Sequence, residues 1–201
     1  VERSRGLGDV YKRQELRRLT SKSVVCMEGP YNLVELKNLE KLNIDYVIHS
    51  NRQISFLAEI KSSDLSGNNK IWLKIDTGMN RLGFKENEIL KAFTKIISFK
   101  KKIVLMSHFS SASANTKAKK QSNKQIRLFK KYESKLKKIK PNLISSLCNS
   151  GGLINFKNSH MGISRPGISI FGCQEDLGKS SLDLEQVMTL KSKFISIKKV
   201  Q

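Results

Sequence analysis

Three short clusters in this chain join chemically capable residues to the ends of apolar, strand-like runs. The first is Lys74-Ile75-Asp76-Thr77-Gly78-Met79-Asn80-Arg81-Leu82-Gly83-Phe84. By the two-residue alternation of a strand, Leu73 and Ile75 face one way and Trp72, Lys74 and Asp76 the other. If the second set points into a barrel, Lys74 is a cation in a dry space, costly unless it is paired or chemically neutralised. A Lys74–Asp76 pair closing a polar layer is the simpler reading. The second cluster, His108-Phe109-Ser110-Ser111-Ala112, places an imidazole at a strand end, where it serves either as an acid–base group or as a hydrogen-bonded bystander. The third joins Cys148-Asn149-Ser150-Gly151-Gly152 to Ser164-Arg165-Pro166-Gly167-Ile168-Ser169-Ile170-Phe171-Gly172. A small hydroxyl residue beside backbone amides with no side chain in the way suits a phosphate, although Gly151-Gly152 also reads as an ordinary loop.

Apolar and β-branched runs predict strands over Ser23–Met27, Ile44–His49, Ile71–Ile75, Ile103–His108, Leu143–Cys148 and His160–Ser164. Helical periodicity falls between most of them, over Tyr31–Leu42, Ile54–Lys61, Glu86–Ser98 and Ser122–Ile139. Alternating strands and helices make βαβ units and a parallel sheet, whose sites lie at the C-terminal ends of the strands. Six units are visible. A closed (β/α)8 barrel needs eight and about 250 residues, whereas an open doubly wound sheet fits the length, and the pattern leaves both open. Beyond Gly172 the chain turns polar, and Val187–Ile197 then alternates loosely with period two, the pattern of a strand opening a second, β-rich domain. The expected organisation is therefore a leader over 1–14, an α/β domain over 15–172, a linker over 173–186 and the start of a β domain over 187–201. The leader, VERSRGLGDVYKRQ, has no apolar periodicity and is similar to translated adapter sequence; a flexible arm is the alternative.

The composition, 38% hydrophobic with 7% aromatic over 201 residues, belongs to a folded domain and excludes overall disorder. No apolar run approaches the roughly 18 residues of a membrane span, and Val1–Arg5 does not open a secretory signal, so a cytoplasmic protein without membrane contact is expected. Cys26, Cys148 and Cys173 have no CxxC spacing, and they read as buried reduced thiols with no metal site. Thirty-eight Lys and Arg against 17 Asp and Glu give a net charge of +21. Eleven of the basic residues lie between Lys117 and Lys140, against the single acid Glu133. The same segment carries Ile126, Phe129, Tyr132, Leu136 and Ile139 at spacings of three and four, so its lysines are the solvated face of a packed helix. With no RNP-like, zinc-finger or glycine-clamp motif beside the charge, no nucleic-acid partner is expected.

Taken in order, KIDTGMNRLGF, SHFSSA, CNSGG and RPGISIFG resemble the alanine racemases, pyridoxal-phosphate enzymes that interconvert L- and D-alanine; the likeness runs from about Glu15 to Gln201. The resemblance implies an N-terminal (β/α)8 TIM barrel, here incomplete at about six of eight units, followed by the start of a C-terminal β domain. It implies pyridoxal 5'-phosphate as cofactor, L- and D-alanine as substrates, a homodimer of the full-length enzyme and D-alanine supply for peptidoglycan. It assigns Arg165 to the cofactor's pyridine nitrogen and His108 to orienting that arginine. Asn149, Ser150 and the amides of Gly167 and Ile168 would cradle the phosphate. Arg81 would lie near the phenolic oxygen and the substrate carboxylate, to which Met79 would offer its amide. Lys74 matches a lysine usually carbamylated (N6-carboxylysine), an anion that would hold Arg81. The family's Schiff-base lysine lies in a motif like K-A-N-A-Y-G, which has no counterpart here, and its opposing tyrosine comes from the C-terminal domain. The chain alone is therefore expected to be inactive. A non-catalytic PLP-binding or basic RNA-binding α/β protein is the alternative.

Overall fold

The structure is a computed structural model and describes residues 10–65, 67–173, 183–189 and 191–199. Five runs form strands: β1 (Val25–Cys26), β2 (Asp45–Ile48), β3 (Ile71–Lys74), β4 (Ile103–Met106) and β5 (Ile144–Ser146). They pair in sequence order, all parallel, with Ile71 opposite Ile103, Lys74 opposite Met106 and Met106 opposite Ser146. Every residue of β2, β3 and β4 is buried. A parallel sheet covered on both faces requires this, and it is why DYVI, IWLK and IVLM read as near-continuous apolar runs.

The helices are α1 (Val10–Leu19), α2 (Leu33–Lys41), α3 (Asn51–Glu59), α4 (Ile89–Ile97), α5 (Thr116–Ile139) and α6 (Ser150–Asn155). The outward side chains of the sheet, among them Tyr46, Ile71, Leu73 and Leu105, pack with Leu36, Leu57, Phe93, Ile96, Phe129 and Leu136 from the helices. Each such side chain contributes about 1.5–3 kcal/mol by leaving water. A smaller inner cluster of Val47, Trp72, Val104 and Met106 fills the other face, joined by Val25, Ile144 and Ile163. Trp72 and Lys74 thus lie on the inner side, as the alternation predicts. Along α5 the stripe Ile126, Phe129, Tyr132 and Leu136 is buried, while Ile139 in the last turn is 53% exposed.

Four expectations need correction. His160–Ser164 forms no strand. It lies beside β5 through Ile163 N→Ser145 O (3.1 Å) and Arg165 N→Cys148 O (2.9 Å). Those bonds step two residues on one side and three on the other, so the register slips and no regular ladder follows. The described residues within 187–201 also form no strand; Val187 (69%), Phe194 (90%) and Ile195 (102%) are exposed, and no neighbouring strand takes up their backbone hydrogen bonds. The expected leader is helical from Val10 onward, so α1 crosses the boundary at residue 14; residues 1–9 lie outside the described residues. All three cysteines are free, but Cys173 is half-buried where a buried thiol was expected. Among the described residues no helix is long and apolar enough to cross a membrane.

At the N-terminal edge of the sheet the buried Lys101 ammonium donates to Glu40 Oε2 (2.5 Å), Asn69 Oδ1 (2.6 Å) and Gly67 O (3.1 Å). Tyr46 and Asn69 complete the carboxylate at Oε1. The opposite, C-terminal edge carries the three clusters.

Candidate functional site

The segment after β3 is a loop tied back to its own strand. Phe84 N donates to Lys74 O (2.8 Å) and Asp76 N to Phe84 O (2.9 Å), closing residues 76–83 into a tab. Gly83 is required at the closure: its φ is +133°, and an added Cβ would lie 2.6 Å from Asp76 N. Inside the tab, Asp76 Oδ1 accepts the amides of Gly78 (2.9 Å), Met79 (3.0 Å) and Asn80 (3.1 Å). The Met79 N–H, expected to meet a substrate carboxylate, is thus directed to Asp76. Arg81 rides the outer end of the tab and is exposed.

Lys74 is only 5% exposed. Burial, then the charges of Arg81 and Arg165, lower its pKa to about 8, with Asp76 opposing. The simpler Lys74–Asp76 pairing does not form: among the described residues Lys74 has no ion pair, and Asp76 spends Oδ1 on the tab's amides. A lysine titrating near 8 leaves about a tenth of its amine neutral at pH 7. His108 is half-buried at the end of β4, and burial followed by Arg165, Lys74 and Arg81 lowers its pKa to about 4. It is a neutral imidazole at physiological pH.

Arg165 arrives from the segment lying along β5. Its Nη1 donates to Ser146 Oγ, and its Nη2 to Ser107 O (2.5 Å) and Leu147 O (3.4 Å). Ser146 in turn donates its hydroxyl to Ile163 O (2.8 Å), so its oxygen is open to the guanidinium. Arg165 Nε is buried with no partner among the described residues. Burial lowers its pKa to about 10, which still leaves a full positive charge at neutral pH. Arg165 is held by three acceptors, the Ser146 hydroxyl and the carbonyls of Ser107 and Leu147, and His108, expected to orient this arginine, lies close enough to sense its charge.

Ser150, 4% exposed, is the convergence point of the third cluster. Its Oγ accepts Gly167 N (2.8 Å), Ser169 N (3.2 Å) and the Ser169 hydroxyl (3.1 Å). Of the two amides expected at a phosphate, Gly167 N donates to Ser150 Oγ, and Ser169 N joins it there. Asn149 caps α6, accepting Gly152 N (2.9 Å). Gly151 and Gly152 are glycine for close packing, since a Cβ would meet Ala112 O at 2.8 Å and the Phe109 ring at 2.6 Å respectively. The SHFSSA and CNSGG motifs are therefore mutually fitted surfaces. At Gly167 an added Cβ meets none of the described residues within 4 Å, leaving space beside the donors.

The structure thus brings Lys74, Arg81, His108 and Arg165 to one edge of the sheet, with Ser150 and Gly167 alongside Arg165. Sequence reasoning missed Ser107, Ser146, Ser169 and Gln125. A signal for Gln125 exists: with Ser122 it shares the three-and-four spacing of Phe129, Tyr132 and Leu136 on the buried stripe of α5.

The sequence matches the alanine racemase N-terminal domain family over residues 8–175. Alanine racemase of Psychrobacter sp. is 31% identical over 179 residues, covering 88% of this chain and 47% of that protein. Among solved structures, alanine racemase of Acinetobacter baumannii superposes with a TM-score of 0.69 at 28% identity, over 81% of this chain and 44% of its own. Alanine racemase of Bartonella henselae, solved with covalently bound pyridoxal phosphate, superposes with a TM-score of 0.71 at 22% identity, over 89% of this chain and 48% of its own. The five parallel strands and their helices are part of the (β/α)8 barrel of that domain. The chain spans about half the length of the curated relatives it matches.

Proposed function

Because the chain belongs to the alanine racemase family, within its N-terminal domain, we propose that the full-length protein is an isomerase that interconverts L- and D-alanine with pyridoxal 5'-phosphate. The observation that carries this reading is Arg165: a buried, fully charged guanidinium whose Nε–H has no partner, beside the donors gathered at Ser150. An orphaned donor and open space at Gly167 suit a planar cofactor bearing a ring nitrogen and a phosphate. Asn149, Ser150, Gly167 and Ile168 would hold the phosphate, with Ser169 added by the geometry. When bound, the cofactor supplies an electron sink that acidifies the α-proton of an amino acid.

The chain's own residues then set the outcome. Arg165 donates a hydrogen bond and keeps its proton, so a ring nitrogen facing it stays unprotonated and the sink stays weak. A weak sink favours return of the α-proton over transamination. His108, uncharged at neutral pH, adds no further positive charge beside Arg165. Arg81 provides the cation for a substrate carboxylate, and the tab bonds at Asp76 hold its approach. Lys74 supplies a neutral amine that adds to dissolved carbon dioxide; an N–C bond forms, a proton leaves, and the resulting carbamate pairs with Arg81. No stretch resembling K-A-N-A-Y-G, the motif that the resemblance gives to the Schiff-base lysine, occurs in the 201 residues, and the same resemblance puts the opposing tyrosine in a C-terminal domain. The isolated chain is accordingly inactive, whereas the full-length protein works as a cytoplasmic homodimer supplying D-alanine for peptidoglycan.

The test is conversion of L-alanine to D-alanine by the full-length protein, with and without pyridoxal 5'-phosphate, beside the isolated chain. Cofactor-dependent racemisation confined to the full-length protein is expected. Turnover by the isolated chain, or none by the loaded full-length protein, overturns the reading.

A further inference from the structure

Gln125 projects from α5 and is completely buried. Its carboxamide lies between two of the site's loops and spends every hydrogen-bonding position on them. Oε1 accepts Ser110 N (3.0 Å) and the Ser110 hydroxyl (3.1 Å), while Nε2 donates to His108 O (3.1 Å) and Thr77 Oγ1 (3.2 Å). A backbone amide can only donate and a carbonyl can only accept, so these partners admit one orientation of the amide. The chain of contacts then continues toward Arg165. Thr77 Oγ1, which accepts from Gln125, also shares a hydroxyl–hydroxyl bond with Ser107 Oγ (2.8 Å), in which either oxygen can be the donor, and the carbonyl of Ser107 receives Arg165 Nη2 (2.5 Å).

We propose that Gln125 is a positioning residue for the reaction: one carboxamide sets the distance between the loop that carries Arg81 and the loop that carries His108, and through Ser107 it sets the height of Arg165. The chemical step in question rests on the racemase reading; the mechanical role does not. Gln125 joins segments 48 and 17 residues away from it in the chain. Among the described residues no backbone hydrogen bond joins residues 77 or 108 to α5. Losing the amide leaves the Thr77–Ser107 bond (2.8 Å) and the longer Gln121 Nε2→Gly78 O (3.5 Å) as remaining side-chain ties of the Thr77 loop, so the loops gain room to shift by a fraction of an ångström, and displacements of that size matter because the reacting groups must be held in line.

Three variants of the full-length protein test this. Gln125→Leu removes both halves of the clamp. Gln125→Glu keeps its shape and the Ser110 contacts but turns an acceptor toward His108 O. Ser122→Ala is the control, removing another buried bond from α5 to the same loop, Ser122 Oγ→Ser111 O (2.6 Å). The readouts are kcat and KM for L-alanine, the melting midpoint, and amide exchange over residues 76–80 and 107–111. For both Gln125 variants, kcat should fall by about 10–100-fold with faster exchange at Gly78–Asn80, and Ser110 should lose protection in the Leu variant. Ser122→Ala should lower kcat by less than about tenfold. If Gln125→Leu fails to fold, Gln125→Glu with the control decides the matter alone. Equal losses of kcat in the Gln125 variants and Ser122→Ala, or unchanged exchange in both loops, overturn the proposal. Should the wild-type protein not racemise alanine, the racemase reading falls, and the exchange data still decide whether Gln125 holds the loops.

Discussion

Gly83→Ala is the sharpest perturbation available to the fold around Arg81. The residue has φ +133°, a region closed to side chains, and its new Cβ would approach Asp76 N to 2.6 Å and Ile75 C to 2.8 Å. Both atoms are backbone of the strand end, so no flexible side chain can yield. The backbone strain costs about 1–3 kcal/mol and the overlap about 1–3 kcal/mol more. Relief requires breaking Phe84 N→Lys74 O or Asp76 N→Phe84 O, which together close the tab. A loss near 3 kcal/mol lowers a melting midpoint by about 6–12 °C in a chain of about 200 residues and by about half as much in the longer full-length protein. Gly167→Ala is the internal comparison, because its Cβ meets nothing within 4 Å and its φ is −121°. It should leave stability within about 0.5 kcal/mol while weakening cofactor binding, since the methyl enters the space beside Ser150. The assay is thermal and urea denaturation of the full-length protein for both variants. A Gly83→Ala midpoint within about 2 °C of wild type, or equal effects of the two substitutions, would show that the tab's closure is not set by this contact.

Four further outcomes are expected. Lys101→Met strands Glu40 in the core and should cost about 3–5 kcal/mol, whereas adding Glu40→Leu should recover most of it; a double variant no better than the single one refutes the pairing at 2.5 Å. The folded-state pKa of His108, about 4, lies below its ordinary 6.5. The unfolded chain therefore takes up that proton first, and stability falls as pH drops from 6.5 toward 4, by about 1–2 kcal/mol once solvent around the half-exposed ring is counted; urea titrations of His108→Gln should show a flatter profile, and an unchanged one rejects the assignment. Lys74→Ala should lower racemisation and respond to added short carboxylates, which stand in for the missing carbamate; neither effect appearing removes Lys74 from that role. Arg165→Lys loses the fork that reaches Ser146 Oγ and Ser107 O together, so cofactor affinity and turnover should both drop, by about tenfold or more. Arg165→Glu should in addition release pyruvate through transamination, and normal racemisation by that variant contradicts the placement of Arg165 at the ring nitrogen.

Much of the architecture is legible in the chain because it depends on local pattern. The runs around Val47, Trp72 and Val104 are too apolar and β-branched to be anything but doubly covered strands, and the alternation of β3 alone puts Lys74 on the inner face. The ordered motifs also mark which strand ends carry chemistry. What the pattern could not decide is who holds whom. Arg165 is anchored by a carbonyl 58 residues away, and Ser150 collects amides 17 and 19 residues downstream. Such partners follow from how closely backbones approach, and a few tenths of an ångström choose among them. The same cause directs the Met79 amide to Asp76 and turns the expected sixth strand into a slipped, irregular segment. Composition and periodicity determine which side chains leave water, since that free energy scales with area and needs no direction. Only the folded chain decides the hydrogen bonds, because their energy depends on distance and angle between groups that the sequence keeps far apart.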